Sequence, residues 1–201
     1  MWHSSAKLYA VRSESMTSDA TVDRLSKAIR AVQDSLPNST APDDVSIAAA
    51  EALEQAAQLL APHRFQFTQS ADWSVTGRES GVRSLSPDLI DPQWQADRMH
   101  AKVVFTNFFH GANGAAHGGT IPLIFDEILG RIATSSGVLR RTAYLKVNFR
   151  SVTPVNRELD IEGHLERTEG RKHFFTGTLR DGQTLCADAE GLWVSLKPGA
   201  M

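Results

Sequence analysis

The sequence contains one cysteine in its 201 residues, Cys186, so it can form neither an internal disulfide framework nor a cysteine-rich zinc site. We interpret Cys186 as a small strand residue rather than a nucleophile. The first residues lack the continuous apolar stretch of a signal peptide or a membrane span. These absences favour a soluble protein of a reducing, cytoplasmic compartment.

An excess of charge of either sign is also missing, because 21 basic and 23 acidic residues leave a formal net charge of -2. Such a chain has no overall field that would hold it on nucleic acid or on an anionic membrane. We therefore expect no nucleic-acid partner. Any anionic ligand must be bound by local basic residues.

The N-terminal part is predicted to be a helical extension over residues 1–98. Apolar residues recur at three- and four-residue spacing from Asp19 to Leu36, and an alanine-rich segment follows from about Val45 to Leu60. Both patterns predict helices. We expect a disordered start before them. The segment 63–97 has no sustained period, which predicts a long irregular connection and a candidate lid over a substrate tunnel.

From Met99 onward the pattern changes to strands around one apolar helix. Val103 to Phe109 are predicted to form a strand, and a helix buried on most sides is predicted from about His117 to Ser135. Further strands are predicted at about 143–150, 158–167, 173–180 and 184–196, separated by turn signals. This order predicts an α+β domain over 99–201, in which an antiparallel β-sheet wraps around a long central helix.

The candidate catalytic group is Asp126, a carboxylate in the middle of the most apolar helix. An isolated charge is rarely buried without a partner or a purpose. The alternative is that Asp126 faces solvent or pairs with an arginine such as Arg131. Glu127 points about 100° away on a helix and is the rival carboxylate.

The second candidate feature is the start of that helix, His117-Gly118-Gly119. Glycines leave the first amides bare, and the helix dipole favours negative charge there, which suits an oxyanion or a carbonyl. The alternative is a turn capped by His117. Gly119 and Asp126 share one helix face but lie roughly 10 Å apart along the axis. If they act together, a second, antiparallel copy must supply the partner, which predicts a homodimer with composite sites.

The stretch from His117 to Gly130 resembles the HGG-x6-D-x3-G signature of hotdog-fold acyl-CoA thioesterases of the phenylacetate-pathway type. Residues 145–155 and 169–175 are similar to strands of the mitochondrial long-chain branch of that family. The resemblance covers about residues 99–197. It implies hydrolysis of a fatty or aryl acyl-CoA, without a cofactor, by a homodimer or a dimer of dimers.

The resemblance also implies roles for individual residues. Asp126 would activate water or act as the nucleophile, Gly119 N–H would polarise the thioester carbonyl with Gly118 leaving room, and His117 would shape that end of the site. The sequence departs from many relatives at Gly111, where they have asparagine, with Asn113 nearby. It departs again at Tyr144, where they have a serine or threonine that holds the water or the aspartate.

The phosphates of CoA require basic groups, and the strand half supplies several of them. The candidates are Arg140, Arg141, Arg150, Arg171 and Lys172. We expect no metal, because His110 and His117 lack further ligands at metal spacing. Two rival functions remain open, a thioesterase acting on acyl-carrier protein and a non-catalytic acyl-CoA sensor.

Overall fold

The computed structural model describes residues 19–37, 39–63 and 86–196. The predicted disordered start and residues 64–85 of the candidate lid lie outside these ranges. Two helices precede the sheet, α1 (Asp19–Ser35) and α2 (Asp43–Leu60), as the periodicity predicted. The α2 helix begins directly after Pro42 with two aspartates in its first turn, where the helix dipole favours acidic groups.

The rest of the described chain contains one antiparallel six-stranded sheet with the order β1-β2-β4-β5-β6-β3. Its strands are β1 (Leu89–Gln95), β2 (Arg98–Val104), β3 (Arg140–Phe149), β4 (Glu158–Glu169), β5 (Lys172–Asp181) and β6 (Thr184–Ser195). The third helix, α3 (Thr120–Thr134), packs across one face, which we call the inner face. The prediction of an antiparallel sheet around a central helix is confirmed.

The hydrophobic core lies between α3 and the inner face. The helix contributes seven buried side chains, namely Ile121, Ile124, Phe125, Ile128, Leu129, Ile132 and Ala133. Close approach of helix and sheet depends on glycine in the strands. A Cβ at Gly163 would lie 2.6 Å from Leu129 Cδ2, and one at Gly177 would lie 2.9 Å from the Glu162 carbonyl oxygen and 3.1 Å from Phe125 Cε1. Cys186 lies in strand β6, as predicted, and is fully buried in this core.

Two elements differ from the sequence predictions. Strand β1 falls within the segment predicted to be irregular. It is an edge strand with mostly exposed side chains, a positive φ of 48° at Asp91 and a register shift between Ile90 and Gln93. A strand of this kind shows no apolar alternation. Strand β2 ends at Val104, and residues 107–109 form a short 3-10 turn instead of continuing the strand.

Candidate active site

Helix α3 presents its two carboxylates to different surroundings. Asp126 is exposed, and its Oδ1 accepts a hydrogen bond of 3.1 Å from Thr142 Oγ1 on the edge strand β3. The Glu127 side chain is only 9% exposed, and its Oε1 lies 2.8 Å from Arg131 Nε. Of the two alternatives for Asp126, pairing with Arg131 is wrong, because Arg131 pairs with Glu127, whereas exposure to solvent is what the single chain shows. The helix is covered on most sides, as predicted, and Asp126 lies on the side that faces outward in the single chain.

Thr142 is the site residue that the sequence analysis missed. A β-bulge shifts the register of β3 against β6, so that Thr142 lies opposite Trp193 while Tyr144 lies opposite Leu192. Trp193 is buried against the core, which places Thr142 on the inner face next to Asp126. Tyr144 lies on the outer face, where its phenol acts electrostatically on Arg167. The sequence analysis placed the departure from the serine or threonine of relatives at Tyr144, but the bulge turns Tyr144 to the outer face, and Thr142 supplies the hydroxyl beside Asp126.

The loop before α3 is a tight hairpin that ends in the His-Gly-Gly sequence. Asn113 and Gly114 have positive φ angles of 55° and 75°, and Ala115 N–H donates to Ala112 O at 3.1 Å. Asn-Gly with two positive φ angles is the preferred sequence of such a turn. The turn itself therefore accounts for an asparagine at 113, and its contact with substrate stays a prediction.

The His117 imidazole binds the start of α3. Nδ1 of the ring accepts the Gly119 N–H at 3.1 Å, and the backbone carbonyl of His117 accepts the Thr120 N–H at 2.9 Å. An accepting Nδ1 requires a neutral ring with its proton on Nε2. The hydrogen bond to Nδ1 also occupies the Gly119 N–H, which is the donor predicted to polarise the thioester carbonyl. A Cβ at Gly119 would lie 3.3 Å from Nδ1, so a side chain at this position would press on the imidazole.

Gly118 differs from Gly119 in its hydrogen bonding and in the space around it. In the described part of the chain its N–H makes no hydrogen bond, and a Cβ added at Gly118 would meet no atom within 4 Å. Its φ is also outside the left-handed region. Neither packing within the chain nor backbone conformation requires glycine here. The space beside Gly118 is therefore open to a ligand or a second chain.

Of the candidate CoA ligands, Arg150 is engaged on the outer face. Its guanidinium pairs with Asp188, to which Asn148 Nδ2 also donates at 2.7 Å. The hydrogen bond from Arg150 holds the pKa of the Asp188 carboxyl below its usual range. This pairing leaves Arg150 less free to bind a phosphate.

Two of the remaining basic candidates, Arg140 and Arg171, lie towards the C-terminal end of α3. Arg140 donates to the Ala133 carbonyl in the last turn of the helix, and burial lowers the pKa of its guanidinium. Arg171, next to Lys172 at the β4–β5 turn, donates to Ser195 O at 3.0 Å. The His-Gly-Gly sequence lies at the opposite end of the helix. One chain thus does not bring these groups together.

The described residues contain no cluster of three or more His, Cys, Asp or Glu side chains arranged to hold a metal ion. No helix in those residues is long and apolar enough to cross a membrane.

The antiparallel sheet around α3, with a hydroxyl-held carboxylate and a glycine-rich start on that helix, defines a hotdog-fold domain. Residues 113–187 match the family model described as the thioesterase superfamily. The family model thus matches the segment that carries the expected signature, and the resemblance to this superfamily is confirmed for these residues.

Named relatives and solved structures agree with this assignment. The chain is 34% identical over 93 residues to acyl-coenzyme A thioesterase THEM4 of Bos taurus, covering 45% of this chain and 38% of the bovine protein. It is 28% identical over 92 residues to acyl-coenzyme A thioesterase THEM5 of Mus musculus, covering 45% of this chain and 37% of the mouse protein. The chain thus spans less than two fifths of the length of these relatives.

The crystal structure of a thioesterase superfamily protein matches 90% of this chain and 97% of its own, with a TM-score of 0.72 and 26% identity. The structure of yhdA from Lactococcus lactis matches 57% of this chain and 96% of its own, with a TM-score of 0.52 and 16% identity. The second likeness concerns the fold alone.

Proposed function

We propose that this protein hydrolyses an acyl-CoA thioester to the free acid and CoA. The observation that carries the proposal is the outward-facing Asp126 carboxylate, held by the Thr142 hydroxyl at 3.1 Å on the helix that begins with His-Gly-Gly. A carboxylate beside open space can serve as a general base or a nucleophile. The activity in the names of the bovine and mouse relatives supports this reaction.

In this mechanism Thr142 holds Oδ1 of Asp126, so Oδ2 stays available for a water molecule. As the water oxygen bonds to the carbonyl carbon, Oδ2 takes its proton, and the C–S bond then breaks to release CoA thiolate, which takes up a proton. Alternatively Oδ2 attacks the carbon directly, and water then hydrolyses the mixed anhydride. We assign the negative oxygen to Gly118 N–H, because the Gly119 donor is bonded to His117.

We further propose that each site is built from two chains. Gly118 and Asp126 are separated by roughly 12 Å along one helix axis, too far to act on one carbonyl. Strand β3 is a sheet edge with exposed apolar side chains at and just beyond its end, including Phe149 at 57% and Val152 at 69%. Pairing two copies along this edge covers them and brings Asp126 of one chain towards Gly118 of the other.

The same arrangement accounts for the distant basic groups. In an antiparallel pair, the C-terminal end of the partner's helix lies beyond the His-Gly-Gly start of the first. Arg171 and Lys172 of one chain then approach the site that contains Gly118 of the other, where they could bind the phosphates of CoA. No step requires a cofactor.

The experiment compares Asp126→Asn with Glu127→Gln in a thiol-release assay across acyl chain lengths. We expect Asp126→Asn to lower kcat roughly a thousandfold with substrate binding nearly intact, because it removes the base and conserves volume. Glu127→Gln serves as the matched control and should be mild. A reversed order would show that the wrong carboxylate was assigned.

The substrate class needs a second comparison, of rates on pantetheine, CoA and carrier-protein thioesters. Faster turnover of carrier-protein thioesters would replace CoA as the substrate. Tight acyl-CoA binding without thiol release above background at any chain length would identify a sensor instead of an enzyme.

A further inference from the structure

Helix α1 is joined to the domain by polar contacts. Arg30 Nη1 donates to Ser86 O at 3.1 Å, and Arg30 Nη2 lies 2.7 Å from Asp88 Oδ1. Near the end of α1, Asp34 Oδ1 accepts the backbone N–H of Phe108 at 3.1 Å. This last contact links residues 74 positions apart. It fixes α1 to the 3-10 turn at Asn107–Phe109, which leads into the loop before α3.

The 3-10 turn is hydrogen-bonded to the start of the His-Gly-Gly sequence. The carbonyl of Phe109, the neighbour of Phe108, accepts the His117 N–H at 2.7 Å. On the other side, Asn156 Nδ2 donates to Asn107 Oδ1 at 2.8 Å. Phe109 is buried with its ring edge-on to Phe105, whereas the neighbouring Phe108 is 39% exposed and its N–H is held by Asp34. A displacement at Phe108 therefore reaches His117 through a single peptide unit.

We infer that Asp34 is a positioning residue for the active site, acting through Phe108 and Phe109 on the backbone of His117. The inference rests on the proposed function, in which the amide next to His117 meets the carbonyl oxygen. A donor of this kind contributes only when it is held at hydrogen-bonding distance from the developing oxyanion. Helix α1 thus positions the active site from outside the residues that match the family model.

The test uses three variants of the full chain. Asp34→Ala removes the acceptor of the Phe108 N–H, and Asp34→Asn retains an oxygen that can accept it. The matched control is Asp23→Asn, which removes the charge of the exposed 2.7 Å ion pair with Lys27 on the same helix and touches nothing in the turn. For each we would measure kcat and KM with an acyl-CoA, and amide hydrogen exchange over residues 107–120.

We expect Asp34→Ala to lower kcat about fivefold to tenfold with KM changed less than about twofold, because it misplaces a group that acts in the transition state. Exchange of the Phe108 and His117 amides should rise at least about fivefold. Asp34→Asn should restore both quantities, and Asp23→Asn should leave them at parental values.

The inference is overturned if Asp34→Ala leaves both exchange and kcat unchanged, or if Asp23→Asn lowers kcat as much as Asp34→Ala does. It is also overturned if Asp34→Ala raises exchange yet leaves kcat intact. Failure of the proposed function is separate, since it would appear as a parental chain without turnover. In that case the exchange measurement alone decides whether Asp34 holds the His117 turn.

Discussion

Replacing Thr142 by valine tests whether the hydroxyl on β3 holds the catalytic carboxylate. Valine keeps the size and the β-branched shape of threonine and removes only the donor of the 3.1 Å hydrogen bond to Asp126 Oδ1. A hydrogen bond to a charged group contributes roughly 1.5–3 kcal/mol. Because this bond is long and exposed in the single chain, we take the lower limit. About 1.5 kcal/mol corresponds to a roughly tenfold lower kcat.

The assay is thiol release at saturating acyl-CoA, with thermal melts by circular dichroism on the same preparations. Thr142→Ser should stay within about twofold of the parent, because serine retains the donor. Tyr144→Phe is the matched control on the same strand, and its kcat should not change because Tyr144 lies on the outer face. Stability should change by less than about 0.5 kcal/mol in each variant, since neither position is buried.

A double-mutant cycle with Asp126→Asn makes the test specific. If Thr142 acts through the carboxylate, Thr142→Val should cause no further loss once the carboxylate is gone. A Thr142→Val variant as active as the parent would refute the assignment, and so would a full tenfold loss in the Asp126→Asn background.

Three further predictions concern the dimer, the pH dependence of stability and the core. Mixing inactive Asp126→Asn and Gly118→Val chains should restore about a quarter of parental activity. Half of the randomly formed dimers contain one chain of each kind, and each of these has one intact site out of two. If heterodimers are confirmed by mass and no activity returns, sites built from two chains are excluded. Burial lowers the pKa of His173, so the unfolded chain protonates first, and stability should fall as pH drops below about 6.5. Between pH 7.5 and 5.5 the Tm of His173→Gln should fall less than the Tm of the parent. Parallel curves of Tm against pH for the two proteins would refute this. Gly177→Ala should destabilise the fold by about 1–3 kcal/mol, because its Cβ would lie 2.9 Å from a backbone oxygen and 3.1 Å from Phe125. Urea titrations measure this change, and an unchanged midpoint of unfolding would contradict the prediction.

Local sequence patterns were sufficient to predict most of the helices and strands. The periodicity of α1, α2 and α3 predicted these helices, and turn signals between alternating segments located β3 to β6, because both kinds of pattern depend on residues close together in the chain. The His-Gly-Gly start and Asp126 on one helix also led to the superfamily, since their spacing is a property of a single continuous segment.

Positions that depend on strand pairing could not be predicted in this way. Thr142 and Tyr144, two residues apart, would share one face of a regular strand, and only the bulge formed against β6 turns them to opposite faces. Strand β1 owes its existence to pairing with β2, because its own side chains are mostly exposed and carry no alternation.

The engagement of individual groups was likewise decided by the tertiary structure. Sequence alone determined that Asp126 and Glu127 point in different directions; the folded chain determined that Glu127 is covered and paired with Arg131 while Asp126 faces outward beside Thr142. The contact between Asp34 and the Phe108 amide has no local signal at all. Helix periodicity places a residue on a face, but which atoms meet that face depends on chain segments far away in sequence.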